Sequence, residues 1–184
     1  MYIWNAESGD ISNVFGMDEE DSHYITSTEW IDNLDNFLAV GNSKGNVEIW
    51  DVDRQTRIRE MKSDFPIGRV GCLAWNEHIL SNGSRSGTIQ HHDVRIQHHH
   101  VGTYKLHNQE VCGLKWSYDG RHLASGANDN QVAIWDLRIS HETRPLHVLV
   151  SHQAAVKGAI LFEGFFKKHK SRVRFSKSIS CAKF

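Results

Sequence analysis

The sequence has few cysteines, no long apolar run and almost no net charge. Cys72, Cys112 and Cys181 are its three cysteines, and no two of them form a Cys-x-x-Cys pair, which argues against a zinc or redox motif and for a reducing compartment. No apolar stretch approaches a membrane span, and the first residues lack the basic and apolar regions of a signal peptide. The net charge of −1 disfavours nucleic acid and acidic lipid as partners.

A closing pair of residues, an aromatic ring followed by Asp or Asn, recurs along the chain. Its copies are Trp4-Asn5, Trp50-Asp51, His92-Asp93 and Trp135-Asp136, spaced by 46, 42 and 43 residues. A period in this range with a Trp-Asp signature is typical of WD-repeat β-propellers, in which each repeat forms one four-stranded blade. The sequence therefore predicts an all-β fold, a partial WD-repeat propeller.

Each repeat contains short alternating apolar and polar runs bounded by turn residues, which predicts four strands to a blade. The predicted units are a fragment at 1–16, complete blades at about 24–61, 69–106 and 111–150, and a fragment at 152–161. Residues 1–157 thus form the propeller segment, and residues 158–184 form a tail with seven basic side chains against Glu163 alone. Because propellers usually close with four to eight blades, we expect an open arc of a larger ring. The alternative is a closed four-blade ring completed by the N-terminal strands.

The strands of the best repeat and of the two fragments can be predicted individually. In the best repeat they are Val111–Trp116, His122–Ala127, Gln131–Trp135 and Leu146–Val150. In the fragments they are Tyr2–Trp4, Ile11–Phe15 and Ala155–Leu161.

The best repeat also predicts a buried hydrogen-bond network. Its members are His107, Ser125, Asp129 and Trp135. A buried indole N–H needs an acceptor, which a hydroxyl offers, and a linked network holds a blade in shape. A Ser, a His and an Asp also allow a hydrolase interpretation, but the repeat spacing accounts for all three, so we expect no enzyme. The other repeats have Lys44 and Ser86 in place of Asp129, so they are expected to rely more on packing.

Histidines are frequent in the second complete repeat. His91 and His92 are neighbours on a predicted strand and point to opposite faces, so they cannot easily bind one metal ion. Residues 98–100 are all histidine and fall in the turn before the next strand. We predict no metal site, and we expect His92, which stands where a Trp is usual, to be a packed or hydrogen-bonded core residue.

Several stretches are more specific than a general WD repeat. They are Arg69-Val70-Gly71-Cys72-Leu73-Ala74-Trp75-Asn76, Gly83-Ser84-Arg85-Ser86-Gly87, His91-His92-Asp93-Val94-Arg95, Gln109-Glu110-Val111-Cys112-Gly113-Leu114-Lys115-Trp116, Leu123-Ala124-Ser125-Gly126-Ala127-Asn128-Asp129-Asn130 and His152-Gln153-Ala154-Ala155-Val156-Lys157. Together, in register from Met1 to Lys157, they resemble the Fizzy family, the co-activators of the anaphase-promoting complex. The stretch from His91 to Arg95 resembles the mitotic Fizzy branch more than the Fizzy-related branch.

The resemblance implies an adaptor that binds degron peptides and presents them to a ubiquitin ligase during cell division. Its expected partners are subunits of the anaphase-promoting complex, degron-bearing substrates and checkpoint proteins, without a cofactor, in the nucleus and cytoplasm. The family binds the KEN degron at a Gly-Gly-Asn-Asp-Asn turn, whose asparagines match Asn128 and Asn130. Alternatively, both asparagines only shape the turn. Ala127 departs from the second Gly of that turn.

Other family features have no counterpart in the sequence. The N-terminal docking box, the later blades and the C-terminal Ile-Arg tail are missing, so we expect an incomplete copy. From Gly158 the sequence leaves the family pattern, which suggests a truncated or mis-spliced product, a basic tail for an acidic partner, or a terminal strand that caps the arc. The alternative function is a WD-repeat scaffold, or a non-functional truncated fragment, without a ligase role.

Overall fold

The computed structural model describes residues 2–13, 23–31, 36–136, 144–150 and 152–157. These residues form fourteen β-strands. In chain order the strands are β1 (Tyr2–Trp4), β2 (Ile11–Asn13), β3 (Ile25–Trp30), β4 (Phe37–Asn42), β5 (Val47–Asp51), β6 (Thr56–Met61), β7 (Val70–Asn76), β8 (Ile79–Ser84), β9 (Thr88–Asp93), β10 (His100–Lys105), β11 (Val111–Trp116), β12 (His122–Ala127), β13 (Val132–Asp136) and β14 (His147–Leu149). The described residues include no helix that could cross a membrane.

Each strand pairs antiparallel with the next one in its sheet, as expected for propeller blades. Strands β3–β6 form the first blade, β7–β10 the second and β11–β14 the third, while β1 and β2 form a two-stranded sheet. The predicted all-β propeller fold is therefore confirmed. In the third blade, β11 and β12 match the predicted strands residue for residue, and β13 and β14 differ only at their ends.

Consecutive blades approach closely where a glycine of one blade meets a valine of the next. The pairs are Gly41 with Val70, Gly83 with Val111, and Gly126 with Val156. A Cβ at these glycines would lie 2.5, 2.7 and 2.6 Å from a methyl carbon of the paired valine, closer than van der Waals contact allows. The repeat therefore requires glycine at this strand position, because the neighbouring blade fills the space of a side chain.

The core lies between the blades rather than within one of them. One cluster joins Ile49 of the first blade to Leu73 and Trp75 of the second, and another joins Ile89 of the second to Trp135 of the third. Burying each such side chain stabilises the fold by about 1.5–3 kcal/mol. Each blade is consequently stable only with a neighbour against its face.

The two predicted fragments differ from the complete blades. The sheet of β1 and β2 has two strands, and its Tyr2 and Trp4 are 73% and 66% exposed, so the described residues do not form a closed four-blade ring. Residues 14–15 of the predicted second strand lie outside the described residues. The strand predicted from Ala155 is not formed at 155–157, and its continuation also lies outside them. Val156 is nevertheless buried against the third blade, with its N–H bonded to Ala127 O.

Candidate peptide-binding site

The four residues of the predicted network are joined by hydrogen bonds in the third blade. Trp135 Nε1 donates to Ser125 Oγ at 2.9 Å, and Ser125 Oγ lies 2.9 Å from His107 Nε2. His107 Nδ1 lies 3.1 and 3.2 Å from the two carboxylate oxygens of Asp129. A neutral His107 with its hydrogen on Nδ1 satisfies every contact: it donates to Asp129 and accepts from Ser125. The network links β12 and β13 to the segment before β11.

The burial of this network makes it unsuitable as a hydrolytic site. Ser125 has 0% exposure and the His107 side chain is 0% exposed. The hydroxyl oxygen already accepts the indole N–H, and a nucleophile needs space for a substrate carbonyl beside it. The Ser-His-Asp arrangement therefore stabilises the blade.

Asp129 extends the network into the turn between β12 and β13. Its carboxylate accepts the backbone N–H groups of Asn108 at 3.0 Å and Gln131 at 3.1 Å. The turn is closed by a bond from Asn130 N to Ala127 O at 3.2 Å. The buried network thus holds the backbone on which Asn128 and Asn130, both half-buried, are displayed.

Asn128 is oriented by groups at the start of β11. Its backbone N–H donates to Glu110 O at 2.9 Å, and the Cys112 thiol donates to its amide oxygen at 3.2 Å. Burial, and next the nearby Glu110 carboxylate, raise the pKa of Cys112, so the thiol keeps its hydrogen at neutral pH. Among the described residues, the Asn128 amide nitrogen has no hydrogen-bond partner.

The repeat spacing gave no indication of Cys112 as part of this site. The pairing of β11 with β12 is irregular between Val111 and Gly113, so Cys112 sits in a bulge that redirects its side chain. A bulge depends on strand pairing, and a single sequence contains no clear signal for it.

Asn130 has an evident role in the turn. Its φ is +63°, and the matching positions of the first and second blades are Gly45 and Gly87, with φ of +92° and +82°. Asn is the side-chain-bearing residue that best tolerates this left-handed conformation. The interpretation that Asn130 shapes the turn is thus supported, whereas Asn128 has no such backbone requirement.

The backbone at position 130 makes a test of this role possible. We expect Asn130→Ala to lower the free energy of unfolding by about 1 kcal/mol, because Ala is strained at positive φ, and Asn130→Gly to be nearly neutral. Denaturant melts of the two variants measure the difference. Equal stability of both variants would show that the turn does not require this conformation.

The first and second blades have polar networks of their own, so the expectation that they rely more on packing was wrong. In the first blade, Trp50 Nε1 donates to Glu48 Oε2 at 2.9 Å. In the second, His92 Nε2 lies 2.8 Å from Asn82 Oδ1, the position that Ser125 occupies in the third blade. A buried polar ring must find a partner, and each blade supplies a different one.

The histidines of the second blade are divided between two environments. His91 Nδ1 lies 2.7 Å from Ser81 Oγ, and its ring packs edge-on against Tyr104. His92 is 2% exposed, and its Nδ1 lies 2.9 Å from Nδ1 of His99. It is therefore a hydrogen-bonded core residue, as the sequence predicts. No group of three potential metal ligands occurs among the described residues.

A cavity of about 560 Å³ lies at the opposite ends of β7 and β11. It is lined in part by Trp75, Glu77, Lys115 and Tyr118, and by neither asparagine of the candidate site. The candidate site is therefore a half-buried turn that lies outside this cavity.

Comparison with known proteins agrees with the fold and with these motifs. The family model described as WD domain, G-beta repeat matches residues 98–136. A solved chain of the mitotic checkpoint complex is 50% identical with a TM-score of 0.77, over 85% of this chain and 45% of that one. The WD40 repeats of RRP9, at 21% identity and a TM-score of 0.68, share the fold.

Curated relatives match over the same part of the chain. The anaphase-promoting complex subunit cdc20 of Dictyostelium discoideum is 46% identical over 85% of this chain and 31% of its own length. The WD repeat-containing protein slp1 of Schizosaccharomyces pombe is 50% identical over 85% and 30%, and the protein FIZZY-RELATED 2 of Arabidopsis thaliana is 44% identical over 85% and 31%. The chain thus spans about a third of the length of these relatives. It belongs to the Fizzy family and carries a segment of that family's WD-repeat propeller.

Proposed function

We propose that the propeller segment binds KEN-type degron peptides, as a substrate-recognition adaptor and activator of the anaphase-promoting complex in cell division. The observation that carries this proposal is Asn128, whose amide oxygen accepts from the Cys112 thiol, while its amide nitrogen has no hydrogen-bond partner among the described residues. An amide presented on a rigid turn suits a polar peptide, and the buried network beneath it reduces the entropy lost on binding.

The relatives support the rest of the proposal. Curated relatives are named as a subunit, an activator and a cofactor of the anaphase-promoting complex, and such names favour an accessory role at that ligase. The proposed partners are subunits of that complex, degron-bearing substrates and checkpoint proteins. The proposed location is the nucleus and cytoplasm, because Cys72 and Cys112 are unpaired thiols, which fits a reducing compartment.

A WD-repeat scaffold without a ligase role is the second candidate. The observation that favours it is the exposure of large apolar side chains on β1 and β2, with Ile11 70% exposed. An exposed apolar sheet suits a protein partner as well as a neighbouring blade.

Peptide binding distinguishes the two candidates. Fluorescence anisotropy would compare a labelled peptide containing Lys-Glu-Asn with one in which the three residues are Ala. We expect the first to bind the full chain, and Asn128→Ala together with Asn130→Gly to weaken it by about tenfold, the cost of the lost amide hydrogen bonds with the turn preserved. Gln97→Ala, an exposed amide in the turn after β9, is the matched control. If the chain bound both peptides equally, the adaptor proposal would fail and the scaffold would be favoured.

A further inference from the structure

The second blade places Arg85 at the position that Asn128 occupies in the third. Arg85 N donates to Arg69 O at 2.9 Å, as Asn128 N donates to Glu110 O at 2.9 Å. In both blades the acceptor directly precedes the first strand. Arg85 and Asn128 therefore occupy equivalent turns on the same edge of two adjacent blades.

A salt bridge joins the two residues, Arg69 and Glu110, whose backbone carbonyls bind these two turns. Arg69 Nε and Nη2 each donate to the Glu110 carboxylate at 2.7 Å, which lowers the pKa of Glu110 and raises that of Arg69. In this bidentate pair, the positive charge of Arg69 balances the negative charge of Glu110. The pair also ties the second blade to the carbonyl that holds Asn128.

Arg85 lies beside this pair, where its charge also helps to lower the pKa of Glu110. Its residue is exposed, and in the described part of the chain no carboxylate lies within 4.0 Å of its guanidinium. A Cβ at Gly68 would lie 3.2 Å from Arg85 Cβ, so Gly68 leaves room for the start of this side chain.

Lys157 supplies a second cation on the other side of Asn128. It follows Val156, whose N–H bonds to Ala127 O, the residue next to Asn128. Lys157 is exposed, and the described residues include no acid within 4.0 Å of its ammonium group. The Asn128 turn thus lies between the second blade, which carries Arg85, and the segment at 152–157, which carries Lys157.

We propose that Arg85 and Lys157 form a cationic subsite that binds acidic side chains flanking the peptide segment held at Asn128. This inference rests on the proposed function, since it names a feature of the same ligand. An arginine offers a planar pair of donors to a carboxylate, and a lysine adds a mobile charge, so together they favour an acidic flank by charge complementarity.

The test compares two labelled Lys-Glu-Asn peptides, one flanked by Glu and the other by Gln at the same positions. We expect the full chain to bind the Glu peptide about fivefold more tightly, the upper range for exposed ion pairs, and to lose this preference as salt rises. Arg85→Gln with Lys157→Gln should abolish the preference and leave the Gln peptide unaffected. Arg121→Gln, an exposed arginine at the opposite end of β12, is the matched control and should retain it.

The outcomes separate the subsite from the proposed function. If the Gln peptide binds and is weakened by Asn128→Ala, the peptide site is present. Equal binding of both peptides to the unaltered chain, or a preference that survives Arg85→Gln with Lys157→Gln, would then overturn the subsite alone. If neither peptide binds, the proposed function fails and the subsite fails with it.

Discussion

Acidification from pH 7 to pH 5 is expected to destabilise the protein strongly, because the second blade buries two neutral histidines. Burial lowers the pKa of His91 from 6.5 to about 3, and it does the same for His92 with a further contribution from His99. The unfolded chain binds protons at these sites below about pH 6.5, whereas the folded chain does not. Stability is therefore complete above that pH and is lost as the pH falls towards 3.

The surroundings of each ring account for the preference for the neutral form. His91 faces Ser81, Tyr104 and Trp116, and its Nε2 has no hydrogen-bond partner in the described part of the chain. An added proton there would be buried without an acceptor. On the other ring, Nε2–H of His92 donates to Asn82, so its Nδ1 must accept from His99, and protonation would place two donors face to face. Arg59 and His100 add further positive charge near His92.

The expected magnitude is about 2 kcal/mol for each histidine between pH 6.5 and pH 5, since one pKa unit corresponds to about 1.4 kcal/mol. Together they approach the total stability of a marginal domain. Denaturant melts at pH 7, 6 and 5 would measure the slope. His91→Gln and His92→Gln should each reduce the slope, whatever they do to stability at pH 7, and Gln97→Ala, which removes no titratable group, should not. An unchanged slope in both core variants would contradict this account.

Ser125→Ala is expected to lower the free energy of unfolding by about 2–4 kcal/mol. The hydroxyl is the acceptor for Trp135 Nε1 and the partner of His107 Nε2, so its removal leaves two buried polar groups unpaired, each at about 1–3 kcal/mol. Trp135→Phe removes the indole donor and should cost less than Ser125→Ala, because the bond from Ser125 to His107 remains.

A double-mutant cycle tests whether these groups act as one network. The double variant should be more stable than the sum of the two single losses predicts, by about 1–3 kcal/mol. The reason is that Trp135→Phe removes the indole N–H that Ser125→Ala leaves without an acceptor. Ser8→Ala, in an exposed turn of the two-stranded sheet, is the control and should change stability by less than about 0.5 kcal/mol. Simple additivity would show that Ser125 and Trp135 contribute independently.

The repeat period was sufficient to predict most of the third blade. It placed His107, Ser125, Asp129 and Trp135 correctly because a recurring period carries the alignment of one blade onto another. It did not predict how Trp50 and His92, the closing rings of the first two blades, are satisfied by Glu48 and Asn82. Their partners lie on adjacent positions of the sheet, and a missing residue in a sequence does not reveal which neighbour compensates for it.

The sequence by itself determined the class of fold and the approximate blade boundaries, because these depend on short-range periodicity and on local turn residues. The candidate turn was indicated by the resemblance to the Fizzy family. Only the tertiary structure decided what surrounds Asn128. Cys112 approaches it through a bulge, and Arg69 reaches Glu110 from another blade. The second blade with Arg85 and the segment with Lys157 pack on either side of the third blade, with glycine against valine at each contact. Contacts between residues some 40 positions apart depend on how blades pack, which periodicity alone does not specify.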